Sequence, residues 1–332
     1  MPPTHEEGCG VDRFGRQRRS MTVAIIGSGV VGTATGFGLQ GVGHRVIFCD
    51  LDPERLMMLR SRGFMAMECG ELPLEEPNVD AYLISVPSPT VDGRVDLTYV
   101  REAAAAVGCA LGQQEGHPVV VLRSTVPPGT TEDVVIPVLE GRSGRTAGRD
   151  FGVCMNPEFL RARSAETDFR RPRVIVIGSI DAHSEHALRR VYAPWTDVPV
   201  VATDLRTAEA TKYMANLFNA AKISFFNEMA EILTTLGADP TAAAGAVALG
   251  AEGMWNPAYG TRSGAPYGGA CLPKDMLGFL GLLEERGLSE LAPILLAVNE
   301  TNDRVAAAAP LEEIDSPQDP RRLVVPDMEL TR

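Results

Sequence analysis

Positive charge is in deficit along this 332-residue sequence. Its 31 lysines and arginines face 43 acidic residues, for a formal net charge of −12. With no basic surplus to neutralise a phosphate backbone, a general nucleic-acid binder is excluded. A local basic pocket for a small phosphorylated ligand is not. Long apolar runs are missing too. None reaches the roughly 18 residues that a membrane helix needs, so no membrane partner is expected. The six cysteines (Cys9, Cys49, Cys69, Cys109, Cys154 and Cys271) form no Cys-x-x-Cys pair. In a chain of this length without a secretory signal they read as reduced thiols in a cytoplasmic protein, and no metal is expected. Arg13, Arg16, Arg18 and Arg19 have no apolar stretch behind them. Residues 1–20 are therefore read as a disordered extension rather than a signal. No internal repeat is found.

What is present is a series of short β-branched runs. They are Thr22–Ile26, Arg45–Cys49, Ala81–Val86, Val119–Leu122, Phe151–Met155, Val174–Ile177 and Val198–Val201. Runs apolar on both faces suit a parallel sheet covered by helices. Their alternation with helical stretches predicts an α/β fold with a doubly wound, Rossmann-like domain over 21–203. The character then changes. Leu205 to Leu236 contains no proline, with Asp204 or Thr207 as N-cap and Gly237 as stop. This predicts one helix of about 30 residues, against an average of about 11–12. An all-α domain over 204–305 is built on it, and 306–332 reads as a tail.

Gly27-Ser28-Gly29-Val30-Val31-Gly32 follows the first run directly, and Asp50 closes the second run 18 residues after Gly32. A lone GxGxxG is weak. Strand before, helix after and an acidic residue at this distance make it strong. Gly27 permits the tight turn, Gly29 lets a pyrophosphate approach the backbone, and Gly32 lets helix and strand pack. The helix start at Val30 and Val31 offers free N–H groups to the anion. Asp50 can accept from both ribose hydroxyls and would repel a 2′-phosphate, which favours NAD. A glycine-rich turn without ligand is the plain alternative. Val86-Pro87-Ser88-Pro89 and Ser124-Thr125-Val126-Pro127-Pro128-Gly129-Thr130 end the third and fourth runs. Both fall at carboxyl ends of strands, the edge where such sheets bind ligands.

Three further segments carry chemistry. The first is Met155-Asn156-Pro157-Glu158-Phe159-Leu160-Arg161. The second runs from Glu209 through Lys212, Asn216, Asn219 and Lys222 to Asn227-Glu228. The third is Tyr267-Gly268-Gly269-Ala270-Cys271-Leu272-Pro273-Lys274-Asp275. Lys212 and Asn216, four apart, share a helix face. Polar residues so spaced are by default a solvated stripe. Here Met214, Leu217, Phe218, Phe225 and Phe226 point instead to a largely buried helix, where a lysine needs a reason. Cys271 sits two residues before a proline that suits a helix start. A helix N-terminus and Lys274 both favour thiolate.

These strings, in this order over about residues 21–300, resemble the UDP-glucose/GDP-mannose dehydrogenase family. The segment ending in Cys271-Leu272-Pro273-Lys274-Asp275 is the most specific. The resemblance implies a twofold oxidation of a nucleotide sugar at C6, with two NAD and a thiohemiacetal and thioester on Cys271. It implies proton transfer or oxyanion stabilisation by Lys212 and an orienting role for Asn216. Thr125, Glu158 and Asp275 match positions that hold or activate water. The same match puts Gly27, Gly29, Val30, Val31, Gly32, Asp50, Val86, Pro87, Ser124, Thr125, Glu158 and Lys274 around the cofactor. Phe159, Leu160, Arg161, Lys212, Asn216, Tyr267, Gly268 and Gly269 fall to the substrate. It implies a homodimer paired through the long helix. Two departures stand out. Ala162 occupies a position where the family commonly has a second glutamate, and no strand–helix alternation follows Asn299, so a third, nucleotide-gripping domain is not expected. Two alternatives stand beside this reading: a two-electron dehydrogenase on a smaller or non-nucleotide substrate, and a chain that binds NAD or a partner without turnover.

Overall fold

The computed structural model describes residues 20–72 and 78–308. The expected extension up to residue 19 and the tail from residue 309 lie outside the described residues. The chain divides into two compact units, one ending at Ala215 and the other beginning at Asn216.

In the first unit, β1 (Thr22–Ile26) leads into α1 (Val30–Gly41), β2 (Arg45–Cys49), α2 (Pro53–Ser61) and β3 (Met65–Met67). The chain returns to the other side of β1 with β4 (Ala81–Ile84). A small hairpin of β5 (Thr90–Val91) and β6 (Arg94–Val95) precedes α3 (Thr98–Gln113) and β7 (Val119–Leu122). Then follow α4 (Ile136–Ser143), β8 (Gly152–Met155), α5 (Ala165–Arg170), β9 (Ile175–Ser179), α6 (Ala182–Val191) and β10 (Val200–Thr203). The eight-stranded sheet has the order β10-β9-β8-β7-β4-β1-β2-β3. The winding direction reverses between β1 and β4, the place where such sheets open a crevice.

Period-2 alternation explains the burial. Ala24 and Ile26 of β1 join one core cluster with Val100, Val107 and Leu111. Val23 and Ile25 join another with Phe37, Phe48 and Leu188. Each strand thus feeds two apolar layers, one per helical face.

Three features depart from expectation. The sheet is not wholly parallel, because β8 and β9 pair antiparallel, with Met155 opposite Gly178. An antiparallel neighbour needs no crossover helix. The connection from residue 156 to 174 therefore returns along the same sheet edge, carrying only a 3₁₀ turn (Ala162–Ser164) and the six-residue α5. The strand β3 and the β5–β6 hairpin were not foreseen. They are two or three residues long, too short to show periodicity.

The third departure concerns α7 (Leu205–Thr235), the long helix. The Asp204 carboxylate accepts from Thr207 N–H at 2.8 Å at its start. Gly237, at φ +80°, lies just past its end. Its middle is not buried: Met214, Leu217 and Phe218 are 74%, 63% and 62% exposed. The reason lies in the second unit, made of the rest of α7 with α8 (Pro240–Gly250), α9 (Glu252–Trp255), α10 (Leu272–Glu285) and α11 (Pro293–Ala308). Among the described residues its fully buried core is Ile232, Leu283, Ala292 and Leu295. So small a core cannot wrap a 31-residue helix.

Candidate active site

The glycine loop has the backbone its residues dictate. Gly27 lies at φ +92°, and a Cβ there would stand 2.9 Å from the Ser85 carbonyl oxygen. A Cβ on Gly32 would fall 1.9 Å from the Gly27 carbonyl oxygen, so helix and turn touch without a side chain between them. Over Gly29, by contrast, nothing lies within 4 Å. That open volume faces the start of α1, where Val30 is exposed and Val31 half-buried. Nearby, the buried Ser85 hydroxyl has no partner. The open cradle and the unspent hydroxyl fit a bound dinucleotide.

Asp50 does more than its motif position suggests. Its carboxylate accepts from Ser28 N–H and Ser28 O–H, each at 2.6 Å, and from the N–H groups of Leu51 (2.9 Å) and Asp52 (3.0 Å). Arg55 lies 3.7 Å away. Burial alone would raise its pKa. The Ser28 and Asp52 hydrogen bonds and the Arg55 charge outweigh that, and the pKa is lowered. Asp50 therefore staples the glycine turn to the end of β2.

The two proline loops are tied together. Ser124 donates to the Val86 carbonyl at 2.7 Å, and Ser88 donates to the Thr125 carbonyl. Pro87 is exposed and Thr125 half-buried on this edge. Beyond them, the fully buried Glu209 of α7 accepts from the N–H groups of Gly129 and Thr131 and, at 2.6 Å, from the Thr131 hydroxyl. Burial raises the Glu209 pKa despite these bonds. The sequence reading gave Glu209 no role. Its only signal was an acidic residue three positions before Lys212, between Ala208 and Ala210.

Glu158 and Lys212 meet. Lys212 Nζ is 2.9 Å from Glu158 Oε1, with side chains 7% and 11% exposed respectively. The ammonium also stands 5.7 Å from the Phe159 ring centre. Glu158 is fixed by the Leu160 N–H at 2.6 Å. Arg161 behaves otherwise: its guanidinium is paired with Asp168 at 2.7 Å and remains exposed. Asn216, one helical turn beyond Lys212 on α7, is exposed.

In the second unit Cys271 is the exposed N-cap of α10, with Pro273 in the first turn. The Cys271 carbonyl accepts from Asp275 N–H at 2.8 Å. Lys274 forms an ion pair with Asp275, both exposed. Gly269, at φ +78°, turns the chain before the cysteine, and Gly268 precedes it. Tyr267 N–H donates to Asn302 at 2.8 Å, while its buried hydroxyl has no partner. Glu228 serves structure: it accepts the Ile294 and Leu295 N–H groups that open α11.

Residues 72–196 match the NAD binding domain of the UDP-glucose/GDP-mannose dehydrogenase family, and residues 206–304 match its central domain. The chain belongs to that family. NAD is the cofactor of its first domain. Over 283 residues it is 33% identical to the GDP-mannose 6-dehydrogenase of Azotobacter vinelandii, covering 77% of this chain and 63% of that one. It is 34% identical over 304 residues to the UDP-glucose 6-dehydrogenase TuaD of Bacillus subtilis, covering 85% and 63%. The crystal structure of a ternary complex of GDP-mannose dehydrogenase from Pseudomonas aeruginosa superposes with a TM-score of 0.78 at 29% identity, covering 86% of this chain and 69% of that chain. A UDP-glucose dehydrogenase from Pyrobaculum islandicum gives 0.67 at 34%, covering 88% and 70%. The chain thus spans about 63% of the length of the first of these relatives.

Proposed function

We propose that this chain oxidises the primary alcohol of a nucleotide sugar to a carboxylate in two NAD-dependent steps. The observation that carries the reading is the buried Glu158–Lys212 pair at the ligand-binding edge of an NAD-binding sheet. The similarity to GDP-mannose and UDP-glucose 6-dehydrogenases supports it.

Gly27, Gly29, Val30, Val31, Gly32, Asp50, Val86, Pro87, Ser124, Thr125, Glu158 and Lys274 would hold the cofactor. NAD supplies a hydride acceptor for each oxidation. Lys212, with its charge partly balanced by Glu158, stabilises the developing alkoxide and moves the hydroxyl proton. Phe159, Leu160, Arg161, Asn216, Tyr267, Gly268 and Gly269 would position the substrate. The Cys271 thiolate adds to the aldehyde carbon to give a thiohemiacetal, whose oxidation leaves a thioester. Water, held by Thr125, Glu158 and Asp275, attacks the acyl carbon. The thiolate leaves and the carboxylate is released. A second reading, a two-electron oxidation of a smaller alcohol, is favoured by one observation: Ala162 stands four residues after Glu158, where the family commonly has a second glutamate.

NADH formed per sugar consumed, with limiting UDP-glucose or GDP-mannose, tests this. Two equivalents are expected. Cys271→Ser should abolish the second oxidation. One equivalent from the parent with no acyl-enzyme mass would instead establish the two-electron reading.

We further propose a homodimer formed through α7, on the strength of its exposed Met214, Leu217 and Phe218. A cytoplasmic location is proposed from the five free thiols among the described residues. No helix of the described residues is long and apolar enough to cross a membrane.

A further inference from the structure

A cavity of about 470 Å³ opens in the first unit along the connection from β8 to β9. That volume lies in the range of small-ligand sites. Four arginines line it: Arg123, Arg161, Arg171 and Arg173. Two acids line it as well, and both are already spent. Asp168 is paired with Arg161, and Glu158 with Lys212. Among the described residues no carboxylate pairs with Arg123, Arg171 or Arg173. Three uncompensated guanidinium groups therefore face one cavity in a chain whose net charge is −12.

Arg123 decides what this means. It is only 3% exposed. Its guanidinium donates to the Tyr192 hydroxyl at 2.7 Å and to the Asn156 side-chain oxygen. Both acceptors are neutral, and Nε has no partner. A buried cation without a counter-charge is costly. Arginine's planar fork suits phosphoryl oxygens, and binding one would supply the missing charge. A single carboxylate would balance one of the three cations, whereas a terminal phosphoryl group carries about −1.5 to −2 near neutral pH and a bridged diphosphate about −2 over its two phosphates. Phe159, Phe169 and Tyr192 give the same cavity an apolar wall for the organic part of a ligand.

We propose that this cavity is a phosphate-binding site, with Arg123 as its buried anchor and Arg171 and Arg173 as its rim. The shared chemistry is a phosphoryl or diphosphate group on a small organic molecule. It has two sources: the diphosphate of a nucleotide sugar, or a separate phosphorylated metabolite. The site is read by binding alone, without NAD and without turnover. Its success or failure is thus independent of whether the chain oxidises sugars.

The chain carries two tryptophans. Trp195 stands edge-on to Phe169 at 5.4 Å and 5.6 Å from Tyr192, while Trp255 is exposed. Trp255→Phe leaves Trp195 as the sole indole reporter beside the cavity. Pyrophosphate titrated into this variant should change the emission saturably, and calorimetry on the unsubstituted chain should give the same affinity. Arg171→Gln with Arg173→Gln, both on exposed residues, should weaken binding by roughly tenfold or more with an unchanged melting temperature. Arg123→Lys should weaken it as well, because the fork is lost. Saturating GDP-mannose or UDP-glucose then separates the sources. Displacement of pyrophosphate identifies the diphosphate of the nucleotide sugar as occupant, and simultaneous binding identifies a separate ligand. No saturable heat at millimolar pyrophosphate, or unaltered binding by the Arg171/Arg173 double variant, would overturn the proposal.

Discussion

At the scale of single residues, the absence of a side chain matters as much as its presence. Gly32 is the sharpest case, since its missing Cβ is what lets α1 start against the Gly27 turn. Gly32→Ala must push the backbone of that turn. The expected loss is about 1–3 kcal/mol of stability, the usual range for overpacking, together with weakened NAD binding. Chemical denaturation and NAD titration of the same variant check both, and an alanine that binds NAD like the parent would show that the turn is soft. The glycine loop and Asp50 were legible in the sequence because backbone constraint leaves a residue-type signature. Glu209 and Arg123 were not. Each acts through partners 78 and 33 residues away, Thr131 and Asn156 respectively, and separations of that kind carry no local pattern.

At the scale of elements, tertiary hydrogen bonds close gaps that helices and strands leave open. His44, just before β2, joins the start of β1 to the end of α6. Met21 N–H donates to its Nδ1 at 3.2 Å, and its Nε2 lies 3.0 Å from the Val191 carbonyl. Accepting on one nitrogen and donating from the other requires the neutral ring. Burial lowers its pKa from 6.5, against smaller raising effects of the Val191 carbonyl and of Asp80. Below pH 6.5 the unfolded chain then binds more protons than the folded one, so stability falls as the pH falls towards the lower folded value. Melting temperatures between pH 7 and 5 should drop, and His44→Gln should flatten that dependence. An identical slope in the variant would assign the effect elsewhere. Strand positions were legible because buried parallel strands are short runs of β-branched residues. The reversal of β9 was not, because strand direction depends on the length and path of the connection rather than on the composition of the strand.

At the scale of the whole molecule, the helical unit has less core than its helices have apolar surface. The sequence suggested burial of α7 from its phenylalanines. Composition could not tell burial within the chain from burial against another copy. Sedimentation equilibrium should give twice the chain mass, and Leu217→Glu with Phe218→Glu should shift it to the monomer mass. A parent chain that sediments as a monomer would remove the dimer from the account.

The β8–β9 connection has one more implication, for how such a site changes over time. Because it leaves and re-enters the sheet on a single edge, it needs no crossover helix, and its anchor in the core is Phe169 of α5, buried in the layer of Phe37 and Leu188. Its exposed residues (Arg161, Ala162, Arg163, Glu166, Thr167 and Arg170) can be exchanged without repacking either helical layer. New ligand preferences can accumulate at those exposed positions while Phe169 keeps the connection seated, and they are the ones to transplant between relatives when a preference is to be moved.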